Sequence, residues 1–230
     1  MKQLIFLSIS TACIIGLLAI NSCKKKNDSE TPGVYVEITD TRDGNVYKTI
    51  NVGNQTWFAE NLNYQIPDSS LRNDEEGWCY DNAPANCTKY GRLYEWHQAM
   101  VACPPGWHLP SDQEWMELEI AIGMTPYLAD DYGERQLLIG QKLKSTSGWD
   151  EGGFGNGNDS IGFAALPGGS HTFYMGAELF QGLGEYGKWW TSTDETTPES
   201  FVRRITHYYS YIYRVRENKN QAYSVRCVRD

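Results

Sequence analysis

The amino-acid sequence predicts an α+β fold built as one domain. Strand-like alternation comes first, helical periodicity occupies the middle of the chain, and sheet-forming patterns return at its end, an order typical of this class. We expect two main helices, short antiparallel strands and long loops. No linker-like stretch interrupts residues 34–230, so this region is predicted to be a single domain with its own core.

Three strands are predicted first. Residues 34–38 and Val46–Val52 alternate apolar and polar side chains, and a Gly-Asn turn signal then leads into residues 55–59. Residues 63–90 are rich in turn formers and are expected to be mostly irregular.

Two helices are predicted next. The first covers residues 92–102, carries an apolar stripe and ends at Pro104-Pro105-Gly106. The stripe consists of Leu93, Trp96, His97, Met100 and Val101. We interpret its histidine as a packed core residue. A capping box of Ser111 and Glu114 starts the second helix, which Gly123 stops.

The rest of the domain is predicted to be loops and strands. A weaker helical pattern runs over residues 134–143 and is followed by a Gly-rich stretch. Residues 187–193 and 201–216 are predicted strands. Residues 217–221 form a turn, and residues 222–229 return as the last strand.

The N-terminal residues predict export. Residues 1–22 have a positive start and an apolar run slightly too short for a bilayer span, and the exit into Cys23 resembles a bacterial lipoprotein box. We therefore predict a lipoprotein signal peptide, with Cys23 as the residue acylated by palmitate or a similar chain. Asn21 departs from the stricter box, which leaves a plain secretory signal as the alternative. Residues 23–33 are assigned as a polar tether.

Four cysteines lie in the domain, an even number that predicts two disulfide bonds in an exported chain. Of the three possible pairings we expect Cys79–Cys87 and Cys103–Cys227. The first closes a short loop in which Pro and Asn favour a turn. The second closes nearly all of the remaining domain.

The composition of the chain excludes some classes of partner and of enzyme. The formal net charge is −9 and no basic cluster lies beyond the tether, so nucleic acid is not expected as a partner. The chain has no Gly-x-Ser-x-Gly elbow and no His-x-x-x-His pair, so neither a serine hydrolase nor a zinc enzyme is predicted.

Two groups of residues are candidate sites. A Gly-rich loop carries oxygen ligands of the kind that calcium prefers, at Asp150, Glu151, Asn156, Asn158 and Asp159. Plain turn formation is the favoured alternative for this loop, and no other cofactor is predicted. A row of tyrosines follows at Tyr208, Tyr209, Tyr211 and Tyr213. These rings either pack in the core, the favoured alternative, or present a surface to sugars or protein.

Seven strings stand in order along the domain. They are residues 40–47 (DTRDGNVY), 53–62 (GNQTWFAENL), 90–94 (YGRLY), 103–110 (CPPGWHLP), 162–169 (GFAALPGG), 189–193 (WWTST) and 224–230 (SVRCVRD). Together they resemble the Fibrobacter succinogenes major paralogous domain. The resemblance implies an exported bacterial protein, often a lipoprotein, in a family whose biochemical role is largely undefined.

Residues 106–110, leading to Glu114-Trp115, and residues 225–229 also resemble C-type-lectin-like folds and the formylglycine-generating enzyme group. A lectin-like fold bridges a helix cysteine to one in the last strand, which fits Cys103–Cys227. The chain lacks the Glu-Pro-Asn, Gln-Pro-Asp and Trp-Asn-Asp motifs, so the calcium-dependent sugar site is not carried over. Each mature cysteine already has a structural use, so the reactive or metal-binding cysteines of the enzyme group are not carried over either.

The sequence therefore predicts a lipoprotein of the outer membrane or cell surface, facing either the outside or the periplasm. Its lipid holds it to the membrane, and its lectin-like module binds a glycan, a peptide or a partner protein. The alternatives are a diverged enzyme related to the formylglycine-generating group, which we favour less, and a purely structural envelope component.

Overall fold

The computed structural model describes residues 34–67, 76–193 and 198–230. The predicted signal peptide, the predicted acylation site Cys23 and the predicted tether lie outside the described residues. Within the described ranges, no helix has the length and apolar character needed to cross a membrane.

Strands dominate the described part of the chain, with thirteen strands and five α-helices. The strands are β1 (Val36–Thr39), β2 (Val46–Val52), β3 (Gln55–Phe58), β4 (Tyr94–Glu95), β5 (Trp107–His108), β6 (Gly133–Arg135), β7 (Gly168–Tyr174), β8 (Ala177–Leu183), β9 (Tyr186–Trp190), β10 (Glu199–Thr206), β11 (Ile212–Asn218), β12 (Ala222–Tyr223) and β13 (Val228–Arg229). The helices are α1 (Pro84–Tyr90), α2 (Trp96–Ala102), α3 (Asp112–Ala121), α4 (Pro126–Ala129) and α5 (Ile139–Leu143), with a 3₁₀ turn at Tyr80–Asn82.

The described strands form two sheets. One has the order β1-β2-β3-β13-β5, and the other has the order β4-β12-β7-β9-β10-β11-β6, with β8 added beside β7. The predicted final strand over residues 222–229 is therefore two strands, one in each sheet. The C-terminal segment joins the sheets because β12 pairs with β4 while β13 pairs with β3 and β5.

The predicted α+β, C-type-lectin-like class with two main helices is wrong, because the protein is mostly β. The longest described helix, α3, has only ten residues. Two features of the chain account for the difference. Tyr94 and Glu95 extend as β4 and pair with β12 instead of belonging to a helix that starts at residue 92. The β7–β8 hairpin follows the Gly-rich stretch, at positions where no individual strand was predicted.

The prediction that an apolar stripe of the first helix faces the core is also wrong. In α2 the buried residues are Gln98, Ala99 and Ala102, whereas Met100 and Val101 are exposed. The small alanines pack into the core and turn the bulkier side chains outward. His97 is consequently not a core residue. Its exposed ring places Nδ1 3.4 Å from Glu95 Oε2.

The second helix is confirmed together with its capping box. The Ser111 hydroxyl accepts from the Glu114 N–H at 3.2 Å, and the Ser111 N–H donates to Glu114 Oε2 at 2.7 Å. Trp115 and Leu118 are fully buried on the inner face of α3. Strands β2 and β3 lie where the sequence predicted strands, and β1 is displaced by only a few residues.

Two longer predicted elements are each divided in the structure. The predicted helix over residues 134–143 is strand β6 followed by α5, because β6 pairs with β11. The predicted strand over residues 201–216 is the antiparallel pair β10 and β11, and residues 207–211 form the connection between them.

Both predicted disulfide bonds are confirmed. Cys79–Cys87 closes the segment of the 3₁₀ turn and α1, and Cys103–Cys227 ties the end of α2 to the start of β13. Two clusters of buried side chains fill the interior. One is built around Trp57 and Trp115, whose ring centroids are 4.9 Å apart, and the other is built around Trp190 and Tyr223 at 4.7 Å.

Candidate functional site

The β10–β11 connection brings the four predicted tyrosines into one row. Ring centroids are separated by 5.0 Å between Tyr208 and Tyr209, 5.4 Å between Tyr209 and Tyr211, and 6.1 Å between Tyr211 and Tyr213. Tyr208 and Tyr209 are 56% and 40% exposed, whereas Tyr213 is buried. The row therefore runs from the core to solvent, and its role in ligand binding stays a prediction.

Tyr213 anchors the inner end of the row. Its hydroxyl donates to Glu134 Oε1 at 3.2 Å, and the Arg204 guanidinium lies 4.4 Å from its ring centroid. Burial, with the nearby Glu134 carboxylate, raises the pKa of Tyr213. The hydroxyl stays protonated at neutral pH, and the residue holds the position of the exposed rings.

The predicted calcium ligands lie on a loop where three of their side chains cap turns. Asn156 Oδ1 accepts from the Trp149 N–H at 3.0 Å, Asn158 Oδ1 from the Ser160 N–H at 3.3 Å, and Asp159 Oδ1 from the Ala164 N–H at 2.7 Å. These hydrogen bonds form turns, and turn formation was the favoured alternative to calcium binding for this loop.

The remaining two predicted ligands complete this loop. The Asp150 N–H donates to the Gly184 carbonyl at 2.9 Å, and Glu151 is exposed. Burial raises the pKa of the Asp159 carboxyl. Across the described residues, no three His, Cys, Asp or Glu side chains gather as a metal-binding group. Calcium binding by these five residues stays a prediction.

A buried lysine holds this loop against the tyrosine row. The Lys144 ammonium donates to the carbonyls of Gly155 and Tyr209, each at 3.0 Å, and lies 3.5 Å from the His207 carbonyl. The side chain is inaccessible to solvent, and burial lowers the pKa of Lys144 to about 8. One cation thus joins α5, the Gly-rich loop and the β10–β11 connection.

Two glycines allow the loop and the connection to approach closely. Gly153 has φ +55°, and a Cβ at this position would collide with the backbone of Tyr208. The Gly155 N–H donates to the His207 carbonyl at 2.8 Å. Any larger side chain at residue 153 would separate the two segments.

The start of α5 is the third segment of the site. The Gly140 N–H donates to the Ser210 carbonyl at 2.9 Å, and Gln141 Nε2 donates to the Phe154 carbonyl at 3.2 Å. Leu137 and Leu138, just before this turn, are 59% and 57% exposed.

We call the exposed side chains of these three segments the tyrosine platform. Its members are Leu137, Leu138, Phe154, Tyr208 and Tyr209, of which Phe154 is 51% exposed. Sequence reasoning found the tyrosines and missed the other three, together with Lys144. One local signal was present for Phe154, a large aromatic residue with glycine on both sides. No such signal marks Lys144, because its partners are backbone carbonyls far away in sequence.

The fold and the site define a disulfide-bridged, mostly β domain whose loops gather around a buried lysine. The chain belongs to the Fibrobacter succinogenes major domain family, whose sequence model matches residues 50–229. This confirms the family predicted from the seven motifs. No curated protein and no solved structure matches the chain.

Proposed function

We propose that this protein is an exported, lipid-anchored binding module of the cell envelope that docks a partner protein on the tyrosine platform. The observation that carries the proposal is that five exposed apolar or aromatic side chains lie on three segments held together by one buried lysine. Exposed apolar side chains on neighbouring segments are typical of interaction sites, whereas isolated ones need no explanation.

The composition of the platform favours a protein as the partner. Leu137, Leu138 and Phe154 offer no hydrogen-bonding atoms in their side chains, so they gain affinity from apolar burial. Tyr208 and Tyr209 provide large contact areas with little loss of conformational freedom, as aromatic anchors do in protein interfaces. A sugar would need more hydrogen-bonding groups than this surface provides.

The rigidity of the platform supports the same proposal. The hydrogen bonds from Lys144 and the close contact at Gly153 fix the backbone beneath the exposed rings before a partner arrives. A preorganised surface loses less entropy on binding.

The envelope location rests on the N-terminal sequence and on the disulfide bonds. Two bridges are typical of a protein that folds in an oxidising compartment. We expect Cys23→Ala to abolish labelling by a palmitate analogue and to move the protein from the membrane fraction to the soluble fraction. A variant that remains labelled and membrane-bound would contradict the lipid anchor at this residue.

Site-specific photo-crosslinking in intact cells tests the platform. A photoreactive phenylalanine analogue replaces Tyr208, and the matched control places it at Tyr174, a tyrosine 63% exposed on β7. We expect one discrete protein adduct from residue 208, absent from residue 174 and lost when Phe154→Ser is added. Equal adducts from both positions, or an adduct insensitive to Phe154→Ser, would argue against the proposal.

A further inference from the structure

A polar cleft lies between the β2–β3 region and the disulfide-closed segment that carries α1. It has two lobes, of about 290 and about 460 Å³, which share Asn45, Asn63 and Thr88 in their walls. The larger volume is in the range of small-molecule sites, about 300–1,000 Å³, and the smaller one lies just below that range. Gln65 and Arg92 line the larger lobe. None of these residues belongs to the tyrosine platform.

The side chains around the cleft are rich in hydrogen-bonding groups and balanced in charge. Amides come from the asparagines and Gln65, a hydroxyl from Thr88 and a guanidinium from Arg92. The acidic residues that line the lobes are Asp43 and Glu60, and the basic ones are Lys89 and Arg92. Because the charges cancel, the cleft suits an uncharged ligand with many hydroxyl groups better than an anion or a metal ion.

Two residues of the cleft hold buried polar atoms that lack a hydrogen-bond partner within the described ranges. They are Oδ1 of Asn63, an acceptor, and Nε of Arg92, a donor. The backbone N–H of Asn63 and the two terminal nitrogens of Arg92 are already engaged. The Asn63 N–H donates to the Tyr47 hydroxyl at 3.0 Å, and Arg92 Nη1 and Nη2 donate to the Gly77 carbonyl and Gln65 Oε1, each at 2.9 Å. Both atoms are shielded from solvent in this structure. An unsatisfied buried polar group costs about 1–3 kcal/mol, so a hydroxyl group that reaches either atom after a small side-chain movement relieves that cost, because a hydroxyl both donates and accepts.

The walls of the cleft are held in place without a ligand. The Cys79–Cys87 bond closes one wall. At the junction of the walls, a Cβ on Gly91 would lie 2.6 Å from Asn61 Cβ, and Asn61 Nδ2 donates to the Tyr90 carbonyl at 2.7 Å. The residues that face a ligand therefore start from fixed positions, which lowers the entropic cost of binding.

We infer that the polar cleft is a second binding site, for an uncharged saccharide, separate from the tyrosine platform. The planar amide and guanidinium groups pair with neighbouring hydroxyls of a sugar ring. Tyr47 and Tyr90 also line the smaller lobe. The cleft and the platform share no residues, so the proposal for one site can be disproved without affecting the proposal for the other.

Isothermal titration calorimetry with cellobiose, maltose, chitobiose and mannobiose tests the inference on the full chain in mild detergent. We expect saturable heat with at least one of the four disaccharides and a loss of affinity of at least tenfold in Asn63→Ala. Thr88→Val is a second variant in the cleft. Thr88 is exposed, and among the described residues its hydroxyl donates to the Pro84 carbonyl within its own helix, at 3.3 Å, so its loss should leave the fold intact.

Tyr208→Ser is the matched control, because it alters the platform and leaves the cleft unchanged. Thermal melting establishes whether each variant is folded. If Asn63→Ala does not fold, the affinity of Thr88→Val decides the outcome. The inference is overturned if none of the four disaccharides binds at millimolar concentration. It is also overturned if affinity is unchanged in the folded cleft variants, or falls equally in Tyr208→Ser.

Discussion

Replacing Lys144 with methionine tests how the platform is held together. Methionine keeps most of the side-chain volume and removes the ammonium. The carbonyls of Gly155 and Tyr209 then lose the donor that each has at 3.0 Å. The Gly-rich loop and the β10–β11 connection would no longer share a donor, so we expect the platform to loosen as well as the domain to lose stability.

The magnitude depends on pH. Two partly buried carbonyls without a donor cost up to about 1–3 kcal/mol each. Against this, burial lowers the pKa of Lys144 from 10.5 to about 8, so the charged form is disfavoured in the native state by about 3 kcal/mol. We expect a net loss of about 1 kcal/mol in the free energy of unfolding of Lys144→Met at pH 7.5.

The sign of the pH effect follows from proton binding. Between pH 8 and 10.5 the unfolded chain keeps a proton that the native Lys144 has released, so wild-type stability rises with pH relative to the variant. The neutral amine still donates two hydrogens to the carbonyls. The deficit of Lys144→Met should therefore grow by about 2 kcal/mol between pH 7.5 and pH 10.

Urea unfolding under non-reducing conditions, followed by tryptophan fluorescence at each pH, measures this deficit. Lys142→Met is the control, because Lys142 lies two residues earlier, in α5, is half-buried and donates to the Ile122 carbonyl at 2.8 Å. A deficit for Lys144→Met that stays constant or shrinks as the pH rises would refute the reasoning.

Two further predictions concern the framework. Glu119 is fully buried and accepts from Arg135 Nη1 at 2.6 Å and from Arg203 Nε at 2.7 Å. Because breaking a buried ion pair is strongly destabilising, Glu119→Gln should lower the free energy of unfolding in urea by about 3–5 kcal/mol. A loss no larger than that of Glu117→Gln, at an exposed position of the same helix, would contradict this prediction. Replacing both cysteines of Cys103–Cys227 with serine should lower the free energy of unfolding by about 5 kcal/mol, against about 2.5 kcal/mol for Cys79–Cys87. The difference arises because the first bond joins residues 124 apart in sequence and the second joins residues 8 apart. Equal losses of stability in parallel thermal melts would contradict the chain-entropy explanation.

Local signals predicted part of the structure well. The capping box at Ser111 and Glu114 needs only residues three apart, so it identified the start of α3 without knowledge of the fold. The alternation in Val46–Val52 likewise identified β2. The disulfide pairing was predicted correctly because few cysteines leave few combinations.

Predictions failed where a distant partner decided between two local patterns. Residues 92–102 have helical periodicity, yet Tyr94 and Glu95 extend because Ala222 and Tyr223 pair with them. The alternation over residues 201–216 continues through a connection that the sequence does not mark. Both errors arise from pairing between strands, which short-range periodicity does not encode.

The candidate site was the least predictable part, and the reason lies in how its segments are joined. The tyrosines were visible as a run of aromatic residues, but what makes them a platform is a cation bound by backbone carbonyls from residues 155 and 209, far from Lys144 in sequence. Every residue has a backbone carbonyl, so the residue types in the sequence do not indicate which carbonyls accept hydrogen bonds from Lys144. Only Gly153, which allows the loop to approach Tyr208, leaves a trace of this arrangement in the sequence. A glycine beside an aromatic residue in a loop, with a lysine just after the preceding helix, is therefore a pattern to test in other members of the family before assigning them the same platform.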